Sequence, residues 1–205
     1  MRNILSRAGR EALEEFAWSN VLLGFDFDGT LAPIVPRPDQ AVMRPATLTL
    51  FRRVIALYPS VVISGRARED VARRLPGKGL LSILGNHGIE PWQATPDVIE
   101  TIRRFRPVLD RRVAAFPGVL IEDKTYSLTA HFRRSRTKRA ARAAIVAAAT
   151  DVDGLRVVGG KQVVNILPAG PAHKGTALER ERTRAGCDTA IFLGDDDTDE
   201  DVFGL

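Results

Sequence analysis

The chain has a single cysteine, Cys187, so an intrachain disulfide framework is excluded. A lone thiol fits a reducing compartment, and we expect a cytoplasmic protein. Long apolar runs are also missing, since the longest, Ala143–Ala149, is far shorter than the ~20 residues that a membrane-spanning helix needs. The first twenty residues carry arginines and glutamates where a secretory signal needs an uncharged apolar run, so we expect an amphipathic helix there.

Aromatic residues make up only 6% of the 205 residues, so the sequence offers no obvious platform for stacking nucleic-acid bases. The net charge is +5, and basic residues come in short groups such as Arg133–Arg139. A basic balance can indicate a nucleic-acid partner, a small anionic substrate or neither. We interpret the basic group as the solvated start of a helix, and we expect neither a nucleic-acid nor a membrane partner. The oligomeric state stays open.

Apolar residues make up 44% of the chain and charged residues 27%, which is typical of a folded globular protein. Towards both ends of the chain, short apolar runs that predict buried strands alternate with segments of helical periodicity. The predicted strands are 21–27, 60–64, 81–84 and 190–193, and the predicted helices are 45–57, 68–75 and 174–184. This alternation predicts an α/β fold with a doubly wound, parallel, Rossmann-like sheet.

The middle of the chain shows a different pattern, in which each of two helices precedes a pair of β runs. The helices are predicted at 96–115 and 137–149, and the β runs at 119–123, 126–132, 155–158 and 163–167. Turn signals separate the runs of each pair, at Lys124-Thr125 and at Gly159-Gly160. The pattern predicts an antiparallel sheet with helices on one face, an α+β cap inserted into the parallel domain. We expect core segments at 1–88 and 169–205 around a cap at 89–168.

Acidic residues follow two of the predicted buried strands. Asp26 and Asp28 come directly after the first strand, and Asp195, Asp196 and Asp197 come directly after the last. In an open α/β sheet, ligands bind outside the carboxyl ends of the strands. Each cluster alone has a plainer interpretation, an acidic turn for the first and an acidic helix start for the second.

The two clusters together point to a cation. Carboxylates a few ångströms apart repel by about 4 kcal/mol per pair at an effective dielectric of ~20. If the two strand ends are neighbours, something positive must therefore lie between them. Oxygen ligands without Cys or His pairs favour a hard cation, most simply Mg²⁺.

Two further segments are suited to an anion. Ser64-Gly65-Arg66 ends the second strand and opens a helix, where free backbone N–H groups and a hydroxyl can bind a phosphate oxygen. Lys174 begins a predicted helix and can add a positive charge to the same phosphate. Each signal alone is weak, because a lysine at a helix start is usually just solvated.

The order of FDFDGTL, VVISGR, HKGTAL and GDDDTDED resembles the haloacid-dehalogenase-type phosphohydrolases. The resemblance covers nearly the whole chain, and the middle matches a cap inserted between the second and third motifs. Further segments resemble the trehalose-6-phosphate phosphatase family in particular. They are GNHGIE at 85–90, EDK at 122–124, HFR at 131–133 and DTDEDVF at 197–203.

The resemblance implies a magnesium-dependent phosphatase that hydrolyses trehalose 6-phosphate through an aspartyl-phosphate intermediate. Asp26 would attack phosphorus, and Asp28 would protonate the leaving sugar oxygen and then activate water. Ser64 and Lys174 would hold the phosphate. The metal would be bound by Asp26, the main-chain carbonyl of Asp28 and Asp195, with Asp196 or Asp199 nearby. The residues expected to bind substrate are Gly65, Arg66, His87, Glu122, Lys124, Arg133 and Asn165.

The chain departs from the family pattern at two points. Asn165 stands where the family commonly has a cap glutamate, and relatives continue beyond the fourth motif with another strand and helix. We therefore expect the strand at 190–193 to be paired on one side only. The alternative functions are a phosphatase for another sugar phosphate, such as sucrose phosphate, and a catalytically inactive domain that senses a phosphosugar.

Overall fold

The computed structural model describes residues 6–170 and 172–203. The helices in these ranges are α1 (Arg7–Ala17), α2 (Pro45–Leu57), α3 (Arg68–Ala72), α4 (Pro96–Val113), α5 (Lys138–Thr150), α6 (Lys174–Ala185) and α7 (Glu200–Phe203). The strands are β1 (Val21–Phe25), β2 (Ser60–Ile63), β3 (Ser82–Leu84), β4 (Leu120–Asp123), β5 (Leu128–His131), β6 (Leu155–Gly160), β7 (Val163–Pro168) and β8 (Thr189–Leu193). The predicted helices and strands are therefore present, most of them shorter or longer by a few residues at one end.

Four strands form the predicted parallel sheet, in the order β3-β2-β1-β8. Val61, Val62 and Ile63 of β2 are fully buried, as a continuous apolar run requires when both faces of a sheet are covered. Helix α2 packs on one face through residues such as Phe51, and α6 packs on the other through Leu178. Within the described residues, the strand that pairs with β8 is β1.

The other four strands form the predicted antiparallel sheet, in the order β4-β5-β7-β6. Helices α4 and α5 pack on one face of it, where Phe105 and Ile145 meet Leu128 and Ile166. Successive residues of a strand point to opposite faces, so neighbours of these core residues face away from the helices. The opposite face carries the polar side chains that the sequence marked as candidates for sugar binding.

The second hairpin turns two residues later than the glycine pair suggested. Gly159 and Gly160 belong to β6, and Gly160 pairs with Val163 across the turn. The turn is Lys161-Gln162, where Gln162 adopts a left-handed φ of 64°. The glycine pair therefore did not mark the turn, because Gln162, and not a glycine, adopts the left-handed conformation there.

Helix α1 confirms the predicted helix near the start of the chain. Ser6 caps it by accepting a hydrogen bond from Gly9 N at 3.1 Å, and none of its residues is buried. Over residues 6–170 and 172–203, the helices fall short of the length and apolar character that crossing a bilayer requires.

Candidate active site

The acidic residues lie at the carboxyl ends of two adjacent strands. Asp26 follows β1, and its backbone N donates to Leu193 O of β8 at 2.8 Å. Asp195 follows β8 and lies against the turn after β1, where Gly29 has a φ of +93°. A Cβ at Gly29 would lie 2.1 Å from Asp195 Oδ2, so glycine is required for the two loops to approach this closely.

Three carboxylates come together at this edge of the sheet. Asp26, Asp195 and Asp199 each offer an oxygen, and these three oxygens lie within 4.8 Å of one another. Asp26 and Asp199 are buried, with 4% and 1% exposed, whereas Asp195 is exposed. The predicted convergence of the two acid clusters is therefore observed, with Asp199 as the third member.

Lys174 lies between the two buried carboxylates. Its Nζ donates to Asp26 Oδ1 and to Asp199 Oδ1, both at 2.7 Å, and the residue is only 2% exposed. Helix α6 places it here, because His173 caps the helix by accepting from Thr176 N and so fixes the first turn. The predicted lysine thus contacts Asp26, the nucleophile candidate, and also lines the adjacent cavity.

Asp199 also shapes the loop that carries the other acids. Its Oδ2 accepts hydrogen bonds from the backbone N of Asp195 at 2.9 Å and of Asp196 at 3.0 Å. A short 3-10 turn, Asp197–Asp199, folds the side chain back to reach them. Asp196 lines the adjacent cavity but lies outside the group of three carboxylates.

The electrostatics follow from this burial. Burial raises the pKa of Asp26 to about 6, and the charge and hydrogen bond of Lys174 limit that rise. Burial also opposes the charged form of Lys174, but Asp26 and Asp199 outweigh it and raise the pKa of the ammonium above its usual range. Lys174 therefore stays charged and favours an ionised Asp26.

The donor set fits a hard divalent cation. All three groups are carboxylates, the oxygen ligands that Mg²⁺ and Ca²⁺ prefer. Two lysines already lie against them, Lys174 on Asp26 and Asp199, and Lys161 with its Nζ 3.1 Å from Asp195 Oδ2. Three negative charges against two positive ones leave a net negative site that can hold a metal ion.

Asp28 is held by an arginine and not by the acid cluster. Arg66 Nε donates to Asp28 Oδ2 at 2.6 Å, and Arg66 Nη2 donates to Asp28 Oδ1 at 2.8 Å. The same guanidinium bonds Asp70 at 2.7 Å and Pro38 O at 2.9 Å. These bonds hold the guanidinium of Arg66 on Asp28, while the residue also lines the cavity, where its expected contact with substrate stays a prediction.

The segment after β2 reaches the cavity. Gly65 and Arg66 line the cavity, while Ser64 lies behind them with 1% exposed and accepts a hydrogen bond from Arg66 N at 3.2 Å. His87 packs on Gly65, where an added Cβ would lie 2.7 Å from the imidazole Cε1. The expected hydroxyl donor, Ser64, is thus one layer further from the cavity than its neighbours.

His87 is a neutral, buried ring. Burial, followed by the charges of Lys174, Lys124 and Arg156, lowers the pKa of His87 well below its ordinary value. Asn165 lies within hydrogen-bonding reach of the ring and accepts from Thr129 Oγ1 at 2.8 Å. Both His87 and Asn165 line the cavity, as expected of substrate-binding residues.

The antiparallel sheet contributes a charged group opposite the acids. Glu122 Oε2 lies 2.9 Å from His131 Nε2 and 3.9 Å from Lys124 Nζ. Partial burial raises the pKa of the Glu122 carboxyl, but His131 and Lys124 outweigh this effect and lower that pKa below its usual range. Lys124 reaches the other sheet, where its Nζ donates to Gly65 O at 3.0 Å, and Arg133 is exposed at the rim.

These groups surround one cavity of about 510 Å³. Its walls come from both sheets, with Asp26, Asp28 and Lys174 on one side and Glu122 and Lys124 on the other. A loop after β1 adds an apolar wall made of Ile34, Val35 and Pro36. The cavity is within the size range of sites for small molecules.

Comparison with known proteins identifies the family. A model of the trehalose-phosphatase family matches residues 24–204. The chain belongs to the trehalose-phosphatase family. The trehalose-phosphate phosphatase of Mycobacterium ulcerans (strain Agy99) is 34% identical over 196 residues, which cover 87% of this chain and 50% of that protein. The chain thus spans about half the length of the curated relatives it matches.

Solved structures agree with the fold of a trehalose-phosphatase family member. The C-terminal domain of C. albicans trehalose-6-phosphate phosphatase superposes with a TM-score of 0.81 at 23% identity, over 95% of this chain and 76% of that one. A trehalose-6-phosphate phosphatase related protein gives a TM-score of 0.71 at 25% identity, over 89% of this chain and 81% of that one. The arrangement of the parallel and antiparallel sheets is therefore a fold that this chain shares with these structures.

Several residues in or beside the site of this trehalose-phosphatase family member could not be predicted from the sequence. Lys161 contacts Asp195, but its place in a hairpin turn gave no sign of which loop that turn would face. Asn86 lies beside the expected His87 and joins the two sheets, although nothing singled it out within the GNHGIE motif. The loop Ile34–Pro36 was missed because it has no charged or nucleophilic group.

Proposed function

We propose that the protein is a magnesium-dependent phosphatase that hydrolyses trehalose 6-phosphate to trehalose and phosphate. The observation that carries the proposal is the position of Asp26, a buried carboxylate paired with Lys174 beside two further carboxylates at the wall of the cavity. Membership of the trehalose-phosphatase family supports the sugar. The chemistry below is that of phosphoryl transfer through an enzyme-bound intermediate.

Asp26 is the proposed nucleophile. Its carboxylate would attack phosphorus, forming an aspartyl phosphate as the bond from phosphorus to the sugar oxygen breaks. Lys174 holds Asp26 ionised and can donate a hydrogen bond to a phosphate oxygen, and the backbone of Gly65 and Arg66 lies close by. A Mg²⁺ ion held by Asp26, Asp195 and Asp199, with the main-chain carbonyl of Asp28 and with Asp196 nearby, would neutralise charge on the phosphoryl group.

Asp28 is the proposed acid and base. It is partly exposed, with 39% of its side chain accessible, and it lines the cavity. It would give a proton to the leaving sugar oxygen, and would then take one from the water that hydrolyses the aspartyl phosphate. The two bonds from Arg66 fix the orientation of the Asp28 carboxylate, so that less conformational entropy is lost on reaching the reactive geometry.

We also propose that residues 89–168 form a cap that recognises the sugar. Glu122, Lys124, Arg133 and Asn165 line the cavity from that side and can bond sugar hydroxyls. Ser64 would add a hydroxyl donor for phosphate if the loop shifts when substrate binds. His87, as a neutral ring, can donate or accept a hydrogen bond without adding charge.

Phosphate release tests the proposal. The purified protein is incubated with trehalose 6-phosphate, sucrose 6-phosphate or glucose 6-phosphate, in Mg²⁺ or in EDTA, and inorganic phosphate is measured. We expect the highest kcat/KM with trehalose 6-phosphate, and little release in EDTA. A higher value with sucrose 6-phosphate would reassign the substrate, and no release from any sugar phosphate would point to a binding domain.

A further inference from the structure

The segment from Gly85 to Glu90 contacts both the loop at residues 64–66, which is the proposed phosphate-binding loop, and the antiparallel sheet. Its backbone is tied to the core, since Asn86 N donates to Arg66 O at 2.7 Å and His87 N donates to Ser64 O at 2.9 Å. Asn86 adopts a left-handed φ of 49°, which asparagine tolerates better than most residues. This backbone directs the Asn86 side chain away from the phosphate-binding loop and towards the antiparallel sheet.

The Asn86 amide is fully buried and uses both of its ends. Its Oδ1 accepts from Ser127 Oγ at 2.5 Å, while its Nδ2 donates to Glu90 Oε2 at 2.6 Å and to Lys124 O at 3.3 Å. The reversed amide would place its oxygen against a carboxylate and a carbonyl, so the observed orientation is the one that the partners require. Two of the three bonds, those with Ser127 and Lys124, reach the turn between β4 and β5.

Lys124 and Ser127, two of the residues that Asn86 contacts, belong to one tight turn between β4 and β5. Lys124 N donates to Ser127 O at 2.9 Å across the turn, and Thr125 N donates to Asp123 Oδ1 at 2.8 Å. The same turn carries the Lys124 ammonium, which bonds Gly65 O at 3.0 Å. The turn is thus held by Asn86 and by the bond from Lys124 to Gly65, and these contacts define its position relative to Gly65.

We propose that Asn86 is a positioning residue that fixes the Lys124 turn of the cap against the phosphate-binding loop, and so sets the distance between the sugar-binding and phosphate-binding groups. The inference rests on the proposed function. Asn86 does not line the cavity, so it acts through Lys124 and not by touching substrate. Its loss should therefore weaken recognition of the sugar while leaving chemistry on a small phosphate ester nearly intact.

Two variants and one control test this role. Asn86→Gly removes all three side-chain bonds and tolerates the left-handed backbone, whereas Ser127→Ala removes only the bond that Ser127 donates to Asn86. Ser135→Ala is the matched control, because Ser135 is also a buried cap serine but accepts a bond within the cap, from Thr137 N at 3.3 Å. Steady-state kinetics are measured with trehalose 6-phosphate and with an aryl phosphate.

We expect both test variants to lower kcat/KM for trehalose 6-phosphate about tenfold, mainly through KM, and to change aryl phosphate hydrolysis by less than about twofold. The double variant should lose little more than Asn86→Gly, since the bond between Ser127 and Asn86 is already absent in Asn86→Gly. Equal losses on both substrates, or losses no larger than those of Ser135→Ala, would overturn the inference. If Asn86→Gly does not fold, the kinetics of Ser127→Ala on the two substrates test the inference by themselves.

Hydrogen exchange separates this inference from the proposed function. In either test variant the peptide that contains Lys124 and Ser127 should exchange faster, whatever the substrate, and Ser135→Ala should not change it. A wild-type protein that does not hydrolyse trehalose 6-phosphate would overturn the proposed function. Unchanged exchange and kinetics in the variants of an active wild type would instead overturn the role of Asn86.

Discussion

Replacing Lys174 with methionine tests the charge balance of the buried carboxylates. The ammonium lies 2.7 Å from an oxygen of Asp26 and 2.7 Å from an oxygen of Asp199, and all three groups are almost fully buried. Methionine keeps an apolar stem but removes the charge, so two carboxylates lose their shared partner. Removing one member of a buried ion pair costs roughly 3–5 kcal/mol, and we expect a free energy of unfolding lower by that amount.

The size of this loss depends on pH, because Asp26 can take up a proton instead. Burial already raises the pKa of Asp26 to about 6, and without Lys174 the main interaction that limits the rise is gone. An acid whose pKa rises on folding stabilises the protein below its unfolded pKa, and that contribution is lost as pH rises through the folded pKa. The variant should therefore be closest to wild type at about pH 4 and furthest from it at about pH 8.

Urea unfolding in EDTA measures the effect at each pH. The same titration is then run in excess Mg²⁺, because an ion present at 100 times its dissociation constant stabilises the folded state by about 2.7 kcal/mol. We expect Mg²⁺ to recover part of the stability of Lys174→Met. Phosphatase activity should not recover, since the variant still lacks the cation proposed to contact phosphate.

Lys161→Met is the matched control. Its ammonium lies 3.1 Å from Asp195, but 59% of the Lys161 side chain is exposed, and exposed ion pairs contribute about 0–1 kcal/mol. If Lys174→Met costs no more than this control at about pH 8, the two buried carboxylates do not depend on Lys174. A cost that grows towards acid pH would also refute the reasoning.

Three further predictions concern the proposed reaction. Asp28→Asn should lower turnover of trehalose 6-phosphate at least ~10²-fold but that of an aryl phosphate with a good leaving group much less, and equal losses would contradict the role of Asp28 as the acid. Glu122→Ala or Lys124→Ala should lower kcat/KM for trehalose 6-phosphate about tenfold or more; if aryl phosphate hydrolysis falls as much, the cap does not recognise the sugar. Asp195→Asn should abolish most of the shift in melting temperature that Mg²⁺ produces in the wild type, whereas an unchanged shift would place the ion elsewhere.

The arrangement of the acids could be predicted because strand order decides it. Parallel strands bring their carboxyl ends to one edge, so Asp26 and the acids after β8 had to meet if those strands were neighbours. Which of the later acids would point inward could not be predicted. Several aspartates follow β8 closely, and only the 3-10 turn at Asp197–Asp199 turns Asp199 back onto Asp195 and Lys174.

The contacts between the two sheets could not be predicted from the sequence, because they also depend on loop conformations. Glu122 and Lys124 are two residues apart, which suits side chains on one face of a strand, and both line the cavity. No periodicity relates that face to residues such as Arg66 or Asn86, whose partners are set by loop conformations and by how the cap lies on the core. Nothing in the sequence therefore indicated that the Arg66 guanidinium holds Asp28.

Acid-quenched single turnover tests the nucleophile most directly. The Asp28→Asn variant is mixed with Mg²⁺ and an aryl phosphate that has a good leaving group, so that the first step proceeds while hydrolysis of the intermediate lacks its base. We predict one phosphoryl group on the peptide that contains Asp26, and none when Asp26 is replaced by asparagine. An unmodified peptide together with phosphate release, or Asp26→Asn protein that keeps more than a small fraction of wild-type turnover, would contradict the account.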